Sequence, residues 1–376
     1  MTGSFVLLGM PMAAIGVAWP SAANDLGRTL GELGLVTAAY GAGYTVSTLA
    51  SGEVTRRFTT GPQLVAAAGA AAGSLAILSL TGAWAAFLAA ALLLGLAGGM
   101  LDAAVNTYVA VHRGPRSMGI VHTGFGIGSA LGPLIVTGLL AFGASWRVAF
   151  GLLAVADLVL AVVFVFVVGA LDRTSSRHEQ RPSAVGRRSL VVLSVVVFFF
   201  YAGVAAGTGA WIFSFLTESR GIGSTAAGMA VAAYWGALTV SRVVLGFIGD
   251  RVRADRALAM SGVATVLTLA VVWGAPVPWI VISALIASGF AHGWIFPLEM
   301  VLTSRRFGDS YTAWAVGYQI AGANVGVAVL LGGIGLLVTE FGVGVIAPTL
   351  VVLAVALLAS IAALSFTSGR RGPAPA

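Results

Sequence analysis

Apolar stretches of about twenty residues recur along nearly the whole chain, divided by short polar turns. That repetition limits the fold more than any single motif does. A helix needs about 20 apolar residues to cross a hydrocarbon core about 30 Å thick. Twelve candidate spans meet this length, with approximate limits 3–22, 33–52, 62–81, 84–111, 118–141, 147–169, 190–216, 225–248, 257–274, 279–303, 312–337 and 344–366. Amphipathic period does not help here, because a helix between core and lipid is apolar all round; length and loop punctuation define the spans.

Composition agrees. The 376 residues are 59% hydrophobic and 9% charged, against about 25% charged in soluble domains. The net charge of +7 would suit nucleic acid, but the arginines sit in short loops between apolar stretches, which is a topology signal and not a binding patch. Cysteine and lysine are both absent, which excludes disulfides and thiolate metal sites; the arginine-only, Ala/Gly/Val-rich bias suggests a GC-rich bacterial genome. No basic leader precedes the first apolar stretch, so it is expected to be a spanning helix and not a cleavable signal peptide.

Arginine placement sets the orientation. With the N-terminus cytoplasmic, sixteen arginines fall on inside segments, three (Arg28, Arg147, Arg220) on outside segments, and Arg242 lies within the eighth span. This positive-inside bias predicts a multi-pass protein of a bacterial inner membrane with both termini cytoplasmic. The polar stretch Leu171 to Ser189 carries five arginines with Pro182 and Gly186 and reads as a linker between two halves. The expected organisation is residues 1–169 as an N-terminal six-helix bundle, 170–189 as a cytoplasmic linker, 190–367 as a C-terminal six-helix bundle and 368–376 as a tail. A weak internal repeat supports the division: Gly52-Glu-Val-Thr-Arg-Arg57 follows the second span, and Gly246-Phe-Ile-Gly-Asp-Arg251 follows the eighth.

Twelve spans, a basic central linker and this repeated loop resemble the major facilitator superfamily, whose loop motif begins with Gly and carries an Asp-Arg pair at its fifth and sixth positions. Gly246, Asp250 and Arg251 match it; in the first copy Arg56 replaces the acid. The resemblance implies an all-α membrane protein of twelve transmembrane helices in two six-helix bundles, with gating roles for Asp250, Arg251 and the nearby Arg242. Gly98-Gly-Met-Leu-Asp-Ala-Ala-Val-Asn106 and His122-Thr-Gly-Phe-Gly-Ile-Gly-Ser-Ala-Leu-Gly-Pro133, with Gly43-Tyr44 and Trp211, are similar to the fucose permease-like branch of sugar:proton symporters. One departure is that the first span, with Gly16-Val-Ala-Trp-Pro20, lacks the carboxylate that such members can carry.

Asp102 is a costly residue inside an otherwise apolar stretch. A carboxylate in mid-membrane costs roughly 2.5–3.5 kcal/mol on insertion scales and usually serves an ion or substrate pathway. Asn106 lies four residues on and so shares its helix face, and Asp102 sits about 13–14 Å from the cytoplasmic end at 1.5 Å per residue. Asp102 is expected to take up a proton in one conformation and release it in another; a structural hydrogen bond to a neighbouring helix is the alternative. His122 could relay protons or bond a sugar hydroxyl, with a packing histidine as the plain reading. Trp19, Tyr44, Trp211, His292, Trp294 and Asn324 join Asn106 as candidate substrate contacts, since sugars stack C–H faces on rings and need amides for their hydroxyls. Gln319 could supply a further amide, and Tyr40, Trp235 and Tyr318 lie at similar depth. Glu299 reads as a structural pair with an arginine, and Asp157 has no evident role.

The expected function is proton symport of a small polar solute, foremost a monosaccharide, by a monomer that alternates its cavity between the two sides of the bilayer. A proton-coupled drug or metabolite exporter is the alternative, and a non-transporting membrane sensor a second. No nucleophile–base set, cofactor loop or metal-ligand spacing is visible, so the partners expected are the solute, the coupling proton and the bilayer, with no cofactor, metal or nucleic acid and no enzyme activity.

Overall fold

The computed structural model describes residues 1–112, 115–171 and 188–369, all helix and turn. The helices are α1 (Thr2–Asp25), α2 (Leu33–Arg57), α3 (Thr60–Leu80), α4 (Trp84–His112), α5 (Pro115–Ala141), α6 (Trp146–Leu171), α7 (Arg188–Ser214), α8 (Ser224–Ile248), α9 (Ala254–Gly274), α10 (Pro278–Gly293), α11 (Ile295–Phe307), α12 (Asp309–Phe341) and α13 (Ile346–Gly369). Most of the proposed linker and tail, residues 172–187 and 370–376, lies outside the described residues.

Eleven segments among the described residues are long and apolar enough to cross a membrane, α10 and α11 together forming one. The twelfth pass is α2, whose Thr, Ser and Tyr content keeps it below that threshold. It tolerates polar residues because α4 covers one side and α12 another. The break in the tenth pass has a local cause: Pro297 has no N–H to bond the carbonyl of Gly293. That freed carbonyl accepts instead from Arg242 Nε of α8, at 3.4 Å.

Both halves use one packing scheme. In the first, α1 lies on α5, α2 on α4 and α3 on α6; in the second, α7 lies on α12, α8 on α10 and α9 on α13. Allowing for the split tenth pass, these are the same pairings displaced by six helices. The halves meet through α5–α8, α2–α12 and α1–α7.

The two ends of this seam differ. At the end carrying the α1–α2 turn, one apolar core joins both halves and includes Trp19, Trp146, Trp211 and Phe215. At the opposite end the core splits in two, one part around Leu64, Leu101 and Phe164, the other around Leu258, Leu302 and Leu364. Glycines record the same asymmetry. A Cβ on Gly34 of α2 would lie 2.9 Å from Gly335 Cα of α12, whereas Gly52, Gly246 and Gly317 toward the other end have open space beside them. The seam is therefore sealed at the α1–α2 end and parted at the end near the chain termini.

Three arginines hold or brace the sealed end. Arg147 Nη1 donates to the carbonyls of Ser79 and Thr81, at 3.0 and 2.7 Å, closing the C-terminus of α3. Arg220 donates to the carbonyl of Trp273 at the C-terminus of α9, and Arg28 lies over the Trp84 ring. A cation at a helix C-terminus meets the negative end of the helix dipole. These are the same three arginines that the topology reading placed outside.

Candidate functional site

A cavity of about 160 Å³ lies where the halves meet, walled by residues of α1, α2, α5, α7, α8 and α12. Small residues make the space: Gly9, Ala13, Gly41, Ala206, Gly209 and Ala210 line it. Its polar groups are few, namely Tyr40, Tyr44, Ser129, Trp235 and Asn324. Two of these carry buried donors without a partner among the described residues, Trp235 Nε1 and Asn324 Nδ2. An unpaired buried donor costs about 1–3 kcal/mol, so a ligand that accepts from both would relieve a standing penalty.

Asp102 sits behind one wall. Gly95 and Gly99 bring α4 against the backbone of α2 at Tyr40 and Tyr44, and this close approach brings the Tyr44 hydroxyl beside the Asp102 carboxylate. Asn106 Nδ2 donates to Asp102 Oδ1 at 2.8 Å, as the four-residue spacing implies, while Asn106 Oδ1 is buried without a partner. Tyr44 thus has its ring on the cavity wall and its hydroxyl on the acid. No cation pairs with Asp102 among the described residues.

The facing half supplies a cation. Arg242 Nη2 donates to the Tyr201 hydroxyl at 2.9 Å, and the guanidinium lies 5.9 Å from the Phe296 ring centre. Phe296 also meets the His122 ring of α5, at 6.4 Å between centres. Among the described residues Arg242 has no carboxylate partner. Tyr201 and the broken tenth pass hold Arg242 within the bundle. His122 also packs edge-on against Phe5 at 5.3 Å, so it lies between the halves and away from Asp102.

Several expected cavity residues lie elsewhere. Trp19 is fully buried, with Nε1 donating to the Leu30 carbonyl at 2.8 Å, and packs on Trp84 and Phe87 in the sealing core. Trp211 is fully buried in that core as well. His292 is buried inside the second half, stacked on Tyr201 at 4.7 Å, with Nε2 3.1 Å from the Tyr201 carbonyl. Trp294 Nε1 donates to the Ser241 carbonyl at 2.7 Å, tying the break to α8. Gln319 is buried on Thr303 at 2.9 Å. All five are moved from cavity to packing, because their side chains are held by partners in the cores and not on the cavity wall. Tyr44 and Asn324 do line it, and Tyr40 and Trp235, carried only as aromatics of similar depth, belong with them. Arg251 ends the turn Gly249–Arg251 after α8 and is exposed; the side chain of Asp250 lies outside the described residues. Glu299 pairs with Arg306 at 2.7 Å, both nearly fully buried.

Comparisons with known proteins give one pattern. The family model described as Major Facilitator Superfamily matches residues 1–218 and again 193–376, so each half matches by itself. The chain is 23% identical to "Bypass of stop codon protein 6" of Saccharomyces cerevisiae, covering 96% of this chain and 79% of that one. It is also 23% identical to "Sodium-dependent glucose transporter 1A" of Mus musculus, covering 71% and 72%. The crystal structure of the nucleoside transporter NupG (D323A mutant) superposes with a TM-score of 0.77 at 13% identity, over 96% of this chain and 98% of that one.

Proposed function

The chain belongs to the major facilitator superfamily and is a multi-pass membrane transporter, and we propose that its cargo is a monosaccharide moved together with protons that bind at Asp102. The carrying observation is the placement of Asp102, a carboxylate without a cation among the described residues, held by Asn106 and lying beside Tyr44, whose ring is on the wall of the solute cavity.

The cavity supports the cargo class. Drug-sized ligands occupy pockets of about 300–1,000 Å³, and this one is about 160 Å³. Tyr40 and Trp235 offer faces for C–H surfaces, and the unpartnered Trp235 Nε1 and Asn324 Nδ2 suit hydroxyl acceptors. A glucose transporter among the relatives and the likeness of the fourth and fifth helices to fucose permease-like symporters point the same way.

Coupling follows from the shared Tyr44. An ionised Asp102 holds the Tyr44 hydroxyl as an acceptor; protonation removes the charge and changes what that hydroxyl can bond. The ring that moves with it is part of the solute wall. A proton therefore alters the cavity, and by linkage a bound solute alters proton affinity by the same factor. With both termini cytoplasmic in a bacterial inner membrane, the sealed end is the outside and the described state is inward-facing. Rocking about α1–α7, α2–α12 and α5–α8 exposes the cavity alternately, in a protein acting as a monomer.

One observation favours a second reading. Most of the cavity wall is apolar, including Met12, Phe125, Ala206 and Val327, which suits export of a small amphipathic compound. Proteoliposomes loaded and assayed with a panel of radiolabelled monosaccharides separate the two. The expected outcome is accumulation driven by an inward proton gradient, reversed when the gradient is reversed. Asp102→Asn should abolish accumulation yet keep solute counterflow. Accumulation that follows a sodium gradient alone, as the mouse relative's name would suggest, or that survives Asp102→Asn, refutes proton coupling at this residue. Counterflow of amphipathic compounds with none of any sugar refutes the cargo class.

A further inference from the structure

We propose that Asp157 is a second proton-binding site, joined to Asp102 through Tyr40 and Tyr44 across the interior of the first six-helix bundle. Asp157 lies midway along α6, whose lipid side carries exposed Leu152, Val155, Val159, Val162 and Phe166. Its opposite side carries buried Phe150, Leu153, Ala161 and Phe164, and Asp157 is in that row, 4% exposed. Leucine would fill the position at no electrostatic cost, whereas a mid-membrane carboxylate usually serves an ion pathway.

Nothing nearby neutralises it. Asp157 has no hydrogen-bond or ion-pair partner among the described residues. Of the helices packed against α6, α3 carries no titratable side chain. On α1 the acid is Asp25, at the far end and bonded to Trp146 Nε1 at 2.8 Å. On α5 the groups are His122, held between Phe5 and Phe296, and Arg116, whose side chain lies outside the described residues. On α6 itself, Arg147 is at the sealed end with Ser79 and Thr81.

Asp157 instead opens on a cavity of about 20 Å³, which is room for a single water. Tyr40, Gly98 and apolar residues of α1, α3 and α4 such as Leu7, Pro11, Ala71 and Leu94 make up its other walls. The phenol of Tyr40 is the one other side-chain polar group there. Gly98 keeps space for it: a Cβ at that position would lie 3.3 Å from the Tyr40 hydroxyl oxygen. Tyr40 is also on the wall of the solute cavity, its ring 6.0 Å from that of Tyr44, whose hydroxyl lies beside Asp102.

The transfer balances. The Asp157 carboxyl gives its proton to the intervening water, which passes one of its own to the Tyr40 oxygen as Tyr40 releases its hydroxyl proton toward Tyr44. Tyr44 passes its proton to the Asp102 carboxylate and receives the one from Tyr40. One O–H bond is lost at Asp157 and one formed at Asp102; water and both phenols end unchanged. Asp157 so acts as a reservoir that recharges Asp102 from inside the bundle, away from the solute. This role rests on proton exchange at Asp102, and the test reads each acid separately and needs no solute.

Infrared difference spectra of the protein in lipid, between acid and alkaline buffer, report protonated carboxylic acids by their C=O stretch. The expected result is two titrating bands, one missing in Asp157→Asn and the other in Asp102→Asn. Tyr40→Phe should slow hydrogen–deuterium exchange of the Asp157 band by at least about tenfold, leaving exchange of the Asp102 band unchanged. Labelling aspartate with ¹³C must shift both bands, which marks them as aspartates, and a labelled band that survives in Asp102→Asn reports the second acid even if the Asp157 variant does not fold. A single aspartate band in the labelled protein, lost in Asp102→Asn, overturns the proposal, as does exchange at Asp157 indifferent to Tyr40→Phe. Loss of the Asp102 band alone would instead refute the reading of Asp102.

Discussion

Gly335→Ala is the sharpest test of the seam, because it adds one carbon where the two halves touch. A Cβ there would lie 2.6 Å from the Gly31 carbonyl oxygen, 2.6 Å from Gly34 Cα and 3.0 Å from Gly34 N. All three atoms are backbone, so no side chain can swing aside; the helices must separate. Overpacking of this kind costs about 1–3 kcal/mol. Alanine is a better helix former than glycine by about 1 kcal/mol, so α12 itself is not weakened and the penalty falls on the sealed conformation alone. A penalty of this size moves the equilibrium from sealed to open by about 5- to 150-fold. The chain has no cysteine, so a single Ala38→Cys on α2 reports accessibility without background. Its neighbour across the seam is Gly332, whose Cβ would lie 3.5 Å from Ala38 Cβ. Labelling of Ala38→Cys by an impermeant maleimide from the α1–α2 side should accelerate by that factor in Gly335→Ala, while labelling of Gly317→Cys from the opposite side slows. If both rates are unchanged and the protein folds, the two-ended seam is not what controls access.

Tyr44→Phe keeps the ring on the cavity wall but removes the hydroxyl beside Asp102, so counterflow KM should hold near wild type while accumulation in a proton gradient falls; parallel loss of both would show Tyr44 to be a solute contact only. Arg306→Leu leaves Glu299 buried without its partner and should cost about 3–5 kcal/mol in detergent unfolding, with Glu299→Leu/Arg306→Leu recovering most of it. Arg147→Leu removes the two carbonyl contacts that close α3 and should cost about 1.5–3 kcal/mol, read as a lower thermal midpoint. Arg56→Leu, which breaks an exposed pair with Glu53, should leave the midpoint within about 1 kcal/mol of wild type; equal effects from both would contradict the closing role of Arg147.

The membrane passes and their order were legible in the chain, because the free energy of placing a residue in a bilayer depends steeply on depth. Hydropathy and arginine placement therefore read position along the membrane normal. Spacing of four residues also settled the Asn106 to Asp102 bond, since it lies within one helix. Direction around each helix was not legible: lipid and protein core are both apolar, so nothing in composition tells one face from another. Trp19 and Trp211 turn into the sealing core, whereas Tyr40 and Trp235, of similar sequence depth, turn onto the cavity. Asp157 shows the limit most plainly. Sequence made it an acid without a purpose; only the packing of α6 on α3 and α1 turned it inward, onto the small cavity beside Tyr40. Which end of the seam is sealed was likewise decided by tertiary contact, where Gly31 and Gly34 meet Gly335, because a backbone approach across 300 residues of chain has no signature in either helix alone.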